Sequence, residues 1–544
     1  MEKNLDKKDI RFNIMAILLI IIFCFAISPV TLQNDTFYTI KIGEHIVKNG
    51  IDMRDPFSFH DLEYTYPHWL YDVGMYIIYS VGGQLGIYIS TISLASILGI
   101  LMYVTNVKLT KNKITSFVIT IGSIYLLKDF IAARAQLMTF ILFVLTVYFI
   151  EQFLDTNKKR YAIGLILIPI LIANLHVAVF PFYFIIYLPY IGEYIMYLMS
   201  NSTIRSYENT VKKLNKKLSK GCNEEEILSI NDRIKRIENR IEVLKQKRKI
   251  INENPYKIKI SKNNNIKALI IIMIICLFTG MLTPLGTTPY TYLIKTMQGD
   301  TTHNISEHLP LTLVSNMNFM AVLIVFISIL TFTDTKIKAS DLFMLGGLVF
   351  LTFYSRRQES MFILMCSFIL NRLICSMFDK YNPEGCKKAE KALTTIIGMI
   401  TTIALVLTVS IVQYKPKIDD SFVDETAYPV KASDYILNYL DINNIKLYNE
   451  YNFGSYLLFR GIPVFIDSRA DLYSPEFNQG VNVFTDFLNL SGVNNDTIEE
   501  TLDKYEITHL IMRKDAKLKT FIKQDEEKYE LLYEDDYFTI YERK

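Results

Sequence analysis

The sequence predicts a polytopic α-helical membrane protein of about eleven transmembrane helices, with interfacial amphipathic helices and a C-terminal extracytoplasmic α/β domain. Three observations lead there. Of the 544 residues, 51% are hydrophobic and 21% charged, and the mean hydropathy is +0.22, above what a soluble chain of this size shows. The apolar residues gather into runs such as 14–30 and 268–282, long enough or nearly so for a hydrocarbon core of about 30 Å. Beyond residue 413 the pattern changes to short β-rich runs alternating with helical ones. Together these exclude an ordinary soluble enzyme, a disordered chain and a nucleic-acid binder with a basic face. The net charge of +3 decides little, because the charges are segregated along the chain.

The first apolar run follows Lys3, Lys7, Lys8 and Arg11. Ser28-Pro29-Val30-Thr31-Leu32 offers no small-x-small cleavage site, so the run reads as a retained first helix and not a signal peptide. Hydropathy then places spans at 13–32, 83–106, 114–128, 135–153, 161–178, 179–199, 267–284, 317–334, 339–355, 358–377 and 392–413, the third and ninth being short. With the N-terminus in the cytoplasm, every strongly basic connection falls on that side: Lys108/Lys111/Lys113, Lys158/Lys159/Arg160, the 200–266 loop, Lys336/Lys338 and Lys380/Lys387/Lys388/Lys391. The positive-inside rule asks for this, and an odd number of spans leaves the C-terminus outside. The expected organisation is a transmembrane module over 1–199 with its first outer loop at 33–82, a cytoplasmic arm at 200–266, a second transmembrane module over 267–413, and an extracytoplasmic domain over 414–544.

In the arm, Ile227, Ile230, Ile234, Ile237, Ile241 and Leu244 are spaced 3-4-3-4-3, a heptad seam with charged flanks. With the basic stretch 212–220 this predicts a helical hairpin, either a cytoplasmic partner-binding or lipid-headgroup arm or a solvated hairpin packed on itself. The six cysteines form no CxxC pair and suggest neither zinc nor disulfides. In the tail, 446–448, 464–466, 509–512 and 537–541 read as strands and 430–440 and 497–505 as helices, the pattern of a small α/β domain. It carries no Gly-rich phosphate loop and no GxSxG elbow.

With sidedness assigned, the unusual polar residues fall on the outer face. Asn34-Asp35 follows the first span directly. Phe37, Ile40 and Val47 form part of an apolar helical face ending at Gly50, and Trp69, Val73 and Tyr76 form another before Gly82-Gly83. Such helices are expected in the membrane interface, with Arg54-Asp55-Pro56-Phe57-Ser58-Phe59-His60 as a polar turn between them. Arg134 and Gln136, Asn174 and His176, Glu307 and His308, and Arg356 and Arg357 stand at other span ends. An arginine there is often an interface anchor, and a histidine on an apolar segment is often a satisfied core residue. A charge at membrane depth costs about 2.5–3.5 kcal/mol, and carboxylates, histidines and arginines from five segments converge on one face.

Several of these pieces form an ordered series: Asn34-Asp35-Thr36-Phe37, Gly43-Glu44-His45-Ile46, Asn49-Gly50, Asp55-Pro56-Phe57-Ser58, Trp69-Leu70, Arg134-Ala135-Gln136, Asn174-Leu175-His176, Pro284-Leu285-Gly286, Ile305-Ser306-Glu307-His308 and Arg357. In the tail it continues through Tyr428-Pro429, the 449–457 segment Asn-Glu-Tyr-Asn-Phe-Gly-Ser-Tyr-Leu, and Phe465-Ile466-Asp467-Ser468-Arg469-Ala470-Asp471. The series resembles bacterial multispanning proteins that look like C-type membrane glycosyltransferases (the GT-C superfamily), and it covers nearly the whole chain except the 200–266 arm. The sequence departs at Ala135, where the family usually has Pro, and at His308, where it favours Trp.

The resemblance implies a glycosyltransferase of the bacterial plasma membrane. It would move a sugar from a polyprenyl-phosphate-linked donor to a cell-envelope glycan or protein acceptor on the outer face, with the bilayer and the lipid-linked sugar as partners and no nucleic acid. The acidic residue after the first span, Asp35, takes the place of the catalytic carboxylate. An acceptor hydroxyl needs a base as its bond to the anomeric carbon forms. The phosphate leaving group needs positive charge, which Arg134 or Arg357 could supply by bidentate contact. Asp55 is the second acidic candidate, to orient the neighbourhood of Asp35, bind acceptor hydroxyls or help ligate a divalent cation. Asn174, His176 and Glu307 join Arg134 and Arg357 as expected substrate-binding residues. The sequence has no DxD nucleotide-sugar motif, in keeping with a lipid-linked donor, and it leaves the metal unassigned. A polysaccharide polymerase or ligase of another membrane fold, or a non-catalytic transporter or scaffold, stays open as an alternative. A transporter would be expected to show broken helices with polar mid-spans and repeated halves.

Overall fold

The computed structural model describes residues 7–221, 223–253, 257–299, 304–314, 316–493 and 498–544. Helices occupy all eleven apolar segments. By length and composition six are able to cross a membrane: Ile10–Ile27, Trp69–Thr110, Ala135–Thr156, Val177–Ser200, Arg356–Tyr381 and Ile396–Lys417. Four shorter apolar helices, Lys113–Leu126, Ile266–Met281, Met317–Phe332 and Ala339–Tyr354, join them. Ile396, Ile397, Leu405 and Ile411 stand exposed along one of the six, as do Ile271 and Phe278 elsewhere. A patch of that kind is untenable in water and natural against hydrocarbon.

The first helix, Lys7–Ile27, ends short of residue 32. Pro29 disfavours helical geometry at the residue before it, and the Ser28 hydroxyl closes the last turn by donating to the Cys24 carbonyl at 2.7 Å. The 42-residue helix Trp69–Thr110 is broken at Gly83, where φ is 57°, so its first part turns away from the part that joins the bundle. Residues 200–253 form two helices, Ser202–Leu218 and Glu224–Glu253, packed against each other. Ile230 and Ile241 are buried in their seam, and Lys245 pairs with Glu208 at 3.3 Å.

The tail holds a four-stranded sheet in the order Leu447–Tyr448, His509–Arg513, Phe538–Arg543, Tyr529–Glu534. The first pairing is parallel and the others antiparallel. The run 464–466 is not one of these strands, although its β-rich composition suggested it. It touches the 51–68 loop instead, where the Val464 N–H donates to the Phe57 carbonyl at 3.1 Å in a single bridge to Ser58.

Two apolar cores result. One fills the helical bundle, from Phe12 to Val406; the other joins the helix Asn34–Asn49 and the 51–79 region to the tail, and Met138 and Leu175 pack partly against both. The face carrying Phe37 and Ile40 is buried in the second core, not offered to lipid. The Phe37 ring meets Tyr428, Tyr456 and Phe459 at 5.0, 5.2 and 5.4 Å. Val47, expected on the same face, is 54% exposed. Gly43 lets this helix cross Trp69–Thr110 closely, since a Cβ there would lie 2.0 Å from the Asp72 carbonyl oxygen. The join between the two cores carries the polar residues considered next.

Candidate active site

Asp35 lies in the first turn of the helix Asn34–Asn49, where the N-terminal dipole favours a carboxylate. Arg134 is the N-cap of Ala135–Thr156 with extended backbone, so its side chain leaves the bundle toward Asp35. The guanidinium Nη2 meets Asp35 Oδ2 at 2.6 Å, and Nη1 stands 3.7 Å from Glu307 Oε1. Neither partner of the close pair is sealed: the side chains are 27% exposed for Arg134 and 19% for Asp35. The Asp35 carboxylate raises the Arg134 guanidinium above its usual range, outweighing the effect of burial.

Arg134 also lines a cavity of about 460 Å³, with Gln33, Gln136, Glu307, Arg356, Arg357 and Glu359 around it. The Glu307 loop is strapped to the turn that carries the arginines. The Arg357 N–H donates to the Glu307 carbonyl and the Arg356 N–H to that of Leu309, both at 2.9 Å. Glu359 accepts from the Asn316 amide, and the Gln136 amide reaches the Ser360 hydroxyl at 3.4 Å. Among the described residues, the Arg356 and Arg357 side chains have no ion-pair or hydrogen-bond partner. Burial first and Arg357 second push the His308 imidazole down to about 4, so near neutrality it adds no charge. The cavity thus presents three guanidinium groups, two of them without a close ion-pair partner among the described residues, together with the carboxylates of Asp129, Glu307 and Glu359, in a volume typical of ligand pockets.

On its other side Asp35 faces the tail. The Asn34 amide donates to the Tyr451 carbonyl at 3.1 Å, and burial with the Asp35 charge raises the Tyr38, Tyr428 and Tyr451 hydroxyls above the usual range. Those hydroxyls therefore stay neutral hydrogen-bonding groups around the carboxylate.

Not every residue singled out in the sequence reaches this place. The Asp55 side chain is fully buried at the junction of the 51–68 loop with the tail. Its Oδ1 accepts from Arg469 Nη1 at 2.7 Å, and Arg469 Nη2 meets Asp467 Oδ2 at 2.7 Å. Tyr473 donates to Asp467 at 2.6 Å, and the N–H of Ser58 donates to Asp55 at 3.0 Å. Nearby, His60 Nε2 donates to the Phe465 carbonyl at 2.8 Å, and burial pushes that imidazole down to about 4. Asp55 is therefore saturated and dry, in no position to serve as a base or cation ligand. Asn174 and His176 are buried too. The Asn174 side chain accepts from the Trp69 indole at 3.1 Å and donates to the Leu282 carbonyl at 3.0 Å. His176 Nδ1 pairs with the Thr139 hydroxyl at 2.8 Å, and its ring lies 5.4 Å from that of His68. Both hold the 66–69 segment to the bundle. Among the described residues no three His, Cys, Asp or Glu side chains converge as metal ligands.

Sequence reasoning left Glu359 and Asn316 out of the site. Glu359 stands two residues beyond Arg357, so its place on the same rim was readable; nothing local to Asn316 marks it.

The helical bundle with a mixed sheet domain packed on the 51–68 loop is a fold that solved membrane glycosyltransferase structures share. Among solved structures, the archaeal oligosaccharyltransferase AglB from Archaeoglobus fulgidus, in complex with an inhibitory peptide and a dolichol-phosphate, is similar to the chain with a TM-score of 0.51 and 11% identity, over 92% of this chain and 69% of that one. A crystal structure of the Archaeoglobus fulgidus oligosaccharyltransferase tethered to an acceptor peptide gives 0.47 and 10% over the same shares. The likeness is one of fold. No protein-family model and no curated protein matches the chain.

Proposed function

We propose that the chain is a membrane glycosyltransferase that takes a sugar from a polyprenyl-phosphate carrier and passes it to an acceptor hydroxyl of the cell envelope. The two arginines without partners, Arg356 and Arg357, beside Arg134 in one cavity, carry this reading. Unpaired guanidinium groups at the rim of a bilayer await an anion, and a fork of this kind matches phosphate. The AglB structure that shares the fold contains a dolichol-phosphate, which is the same ligand chemistry.

In the reaction the acceptor oxygen forms a bond to the anomeric carbon as that carbon's bond to the phosphate oxygen breaks. Asp35 takes the acceptor proton, and the carrier phosphate leaves with the bonding pair, its charge held by the arginines. The tail closes over the carboxylate through Tyr428 and Tyr451 and forms part of the acceptor side. In the membrane the N-terminus and the 200–253 hairpin lie in the cytoplasm, and eleven crossings leave the tail outside; reporter fusions at Glu225 and at the C-terminus test this by giving opposite signals.

The direct test is transfer by purified protein in nanodiscs, supplied with a polyprenyl-phosphate sugar and envelope acceptors. Turnover that is lost in an Arg356→Ala, Arg357→Ala double variant of unchanged melting temperature supports the reading. Turnover unaffected by the double variant contradicts it.

A further inference from the structure

Resting on that reading, the Asp35–Arg134 contact raises a question of order. One of the two Asp35 carboxylate oxygens, Oδ2, is already engaged by a guanidinium at 2.6 Å. A carboxylate oxygen so occupied is a poor partner for a second donor. Arg134 is at the same time a wall of the cavity, whereas Asp35 touches the cavity only through it. Its Nη1 arm points to Glu307 at 3.7 Å, too long for a hydrogen bond and therefore easily replaced.

We propose that the carrier phosphate and Asp35 compete for the Arg134 guanidinium, so that filling the cavity with phosphate draws Arg134 away and unmasks Asp35 as a proton acceptor. The arrangement keeps the base capped while the cavity is empty and exposes it once a donor is seated beside Arg356 and Arg357. No new covalent step is involved. An ion pair at a partly exposed site is exchanged for another, which requires little energy because both partners keep some contact with solvent. The coupling is reciprocal: whatever phosphate binding does to the Asp35 contact, removing the Asp35 charge must do to phosphate binding.

That reciprocity supplies the test, with farnesyl phosphate as the lipid probe and inorganic phosphate as the headgroup alone, measured by calorimetry on the full chain in detergent. Asp35→Asn is expected to bind farnesyl phosphate about fivefold more tightly than the parent or better. Glu307→Gln removes a second carboxylate near Arg134, at 3.7 Å and outside hydrogen-bond distance, and it is expected to change affinity by less than Asp35→Asn. The decisive comparison is a double-mutant cycle. In an Arg134→Gln background the gain from Asp35→Asn should fall to that of Glu307→Gln, because only the general effect of charge is left. If the gain persists undiminished without Arg134, or if Asp35→Asn binds no more tightly than the parent, the competition is refuted while the phosphate site stands. If neither Arg134→Gln nor the Arg356→Ala, Arg357→Ala pair weakens either probe, the underlying phosphate reading fails instead. Tightening seen with farnesyl phosphate and with inorganic phosphate alike assigns the effect to the headgroup. Tightening with farnesyl phosphate alone requires the lipid to seat the headgroup, and the competition holds in both cases.

Discussion

Two arginine–aspartate pairs, one at the cavity and one at the loop–tail junction, use the same chemistry to opposite ends. Arg134 and Asp35 are 27% and 19% exposed, with one guanidinium arm still loosely placed. Arg469 and Asp55 are 2% and 0% exposed, and Asp467, Tyr473 and backbone N–H groups fill the remaining valences. A saturated buried cluster fixes geometry and resists change; its ions have no free valence with which to meet a substrate. An open pair beside a cavity can exchange partners. The contrast teaches that residue type and motif membership do not separate an open, exchangeable carboxylate from an architectural one. Exposure and unsatisfied valence do.

The comparison breaks first at Asp35. Asp35→Asn is expected to lower sugar transfer by about 10²–10⁴-fold with little change in melting temperature; transfer at the parental rate would place the base elsewhere. The matching change at the junction, Arg469→Met, strands two buried carboxylates and should lower stability by about 3–5 kcal/mol. Hydrogen exchange in 55–64 and 464–473 would report the loss, and activity should fall only as folded protein is lost.

The junction should also respond to acid. His60 titrates near 6.5 when unfolded and is pushed down to about 4 by burial, so between these values the unfolded chain binds the extra proton. Stability from this group is complete above pH 6.5 and is lost as pH falls toward 4, by on the order of 3 kcal/mol. Exchange protection at the junction should follow that window in the parent and lose this component in His60→Gln. The smallest effect is expected at the cavity rim, where Arg357→Ala weakens donor binding about tenfold and Lys restores it in part, because a point charge lacks the fork. Equal affinity of the Ala and Lys variants would reduce Arg357 to a general positive charge.

Much of this was legible in the sequence, and what was not has physical causes. Each apolar run became a helix because length and composition alone decide that, and Gly82-Gly83 announced the break at Gly83. Asp35, Arg134, Glu307 and Arg357, which the structure brings together, were conspicuous because a charge beside a span end is costly. Asp55, in the polar turn between two helices, looked equally available and is instead saturated, since its partner lies 414 residues away and long-range saturation leaves no local mark. The same holds for Phe37 and Ile40. An amphipathic face reads alike whether lipid or a tail domain covers it, and here Tyr428, Tyr456 and Phe459 do. The run 464–466 looked like a strand because it is short and β-rich, but Phe57, His60 and Asn449 take its backbone groups in place of a ladder.

The most direct measurement is a cryo-electron microscopy structure of the full chain in nanodiscs with a short-chain polyprenyl phosphate. The phosphate is expected between Arg356 and Arg357, within bidentate reach, with Arg134 turned toward it and the Asp35 carboxylate released. Phosphate density at any other place, with Arg356 and Arg357 still unpaired around an empty cavity, would contradict the assignment of this cleft as the donor site.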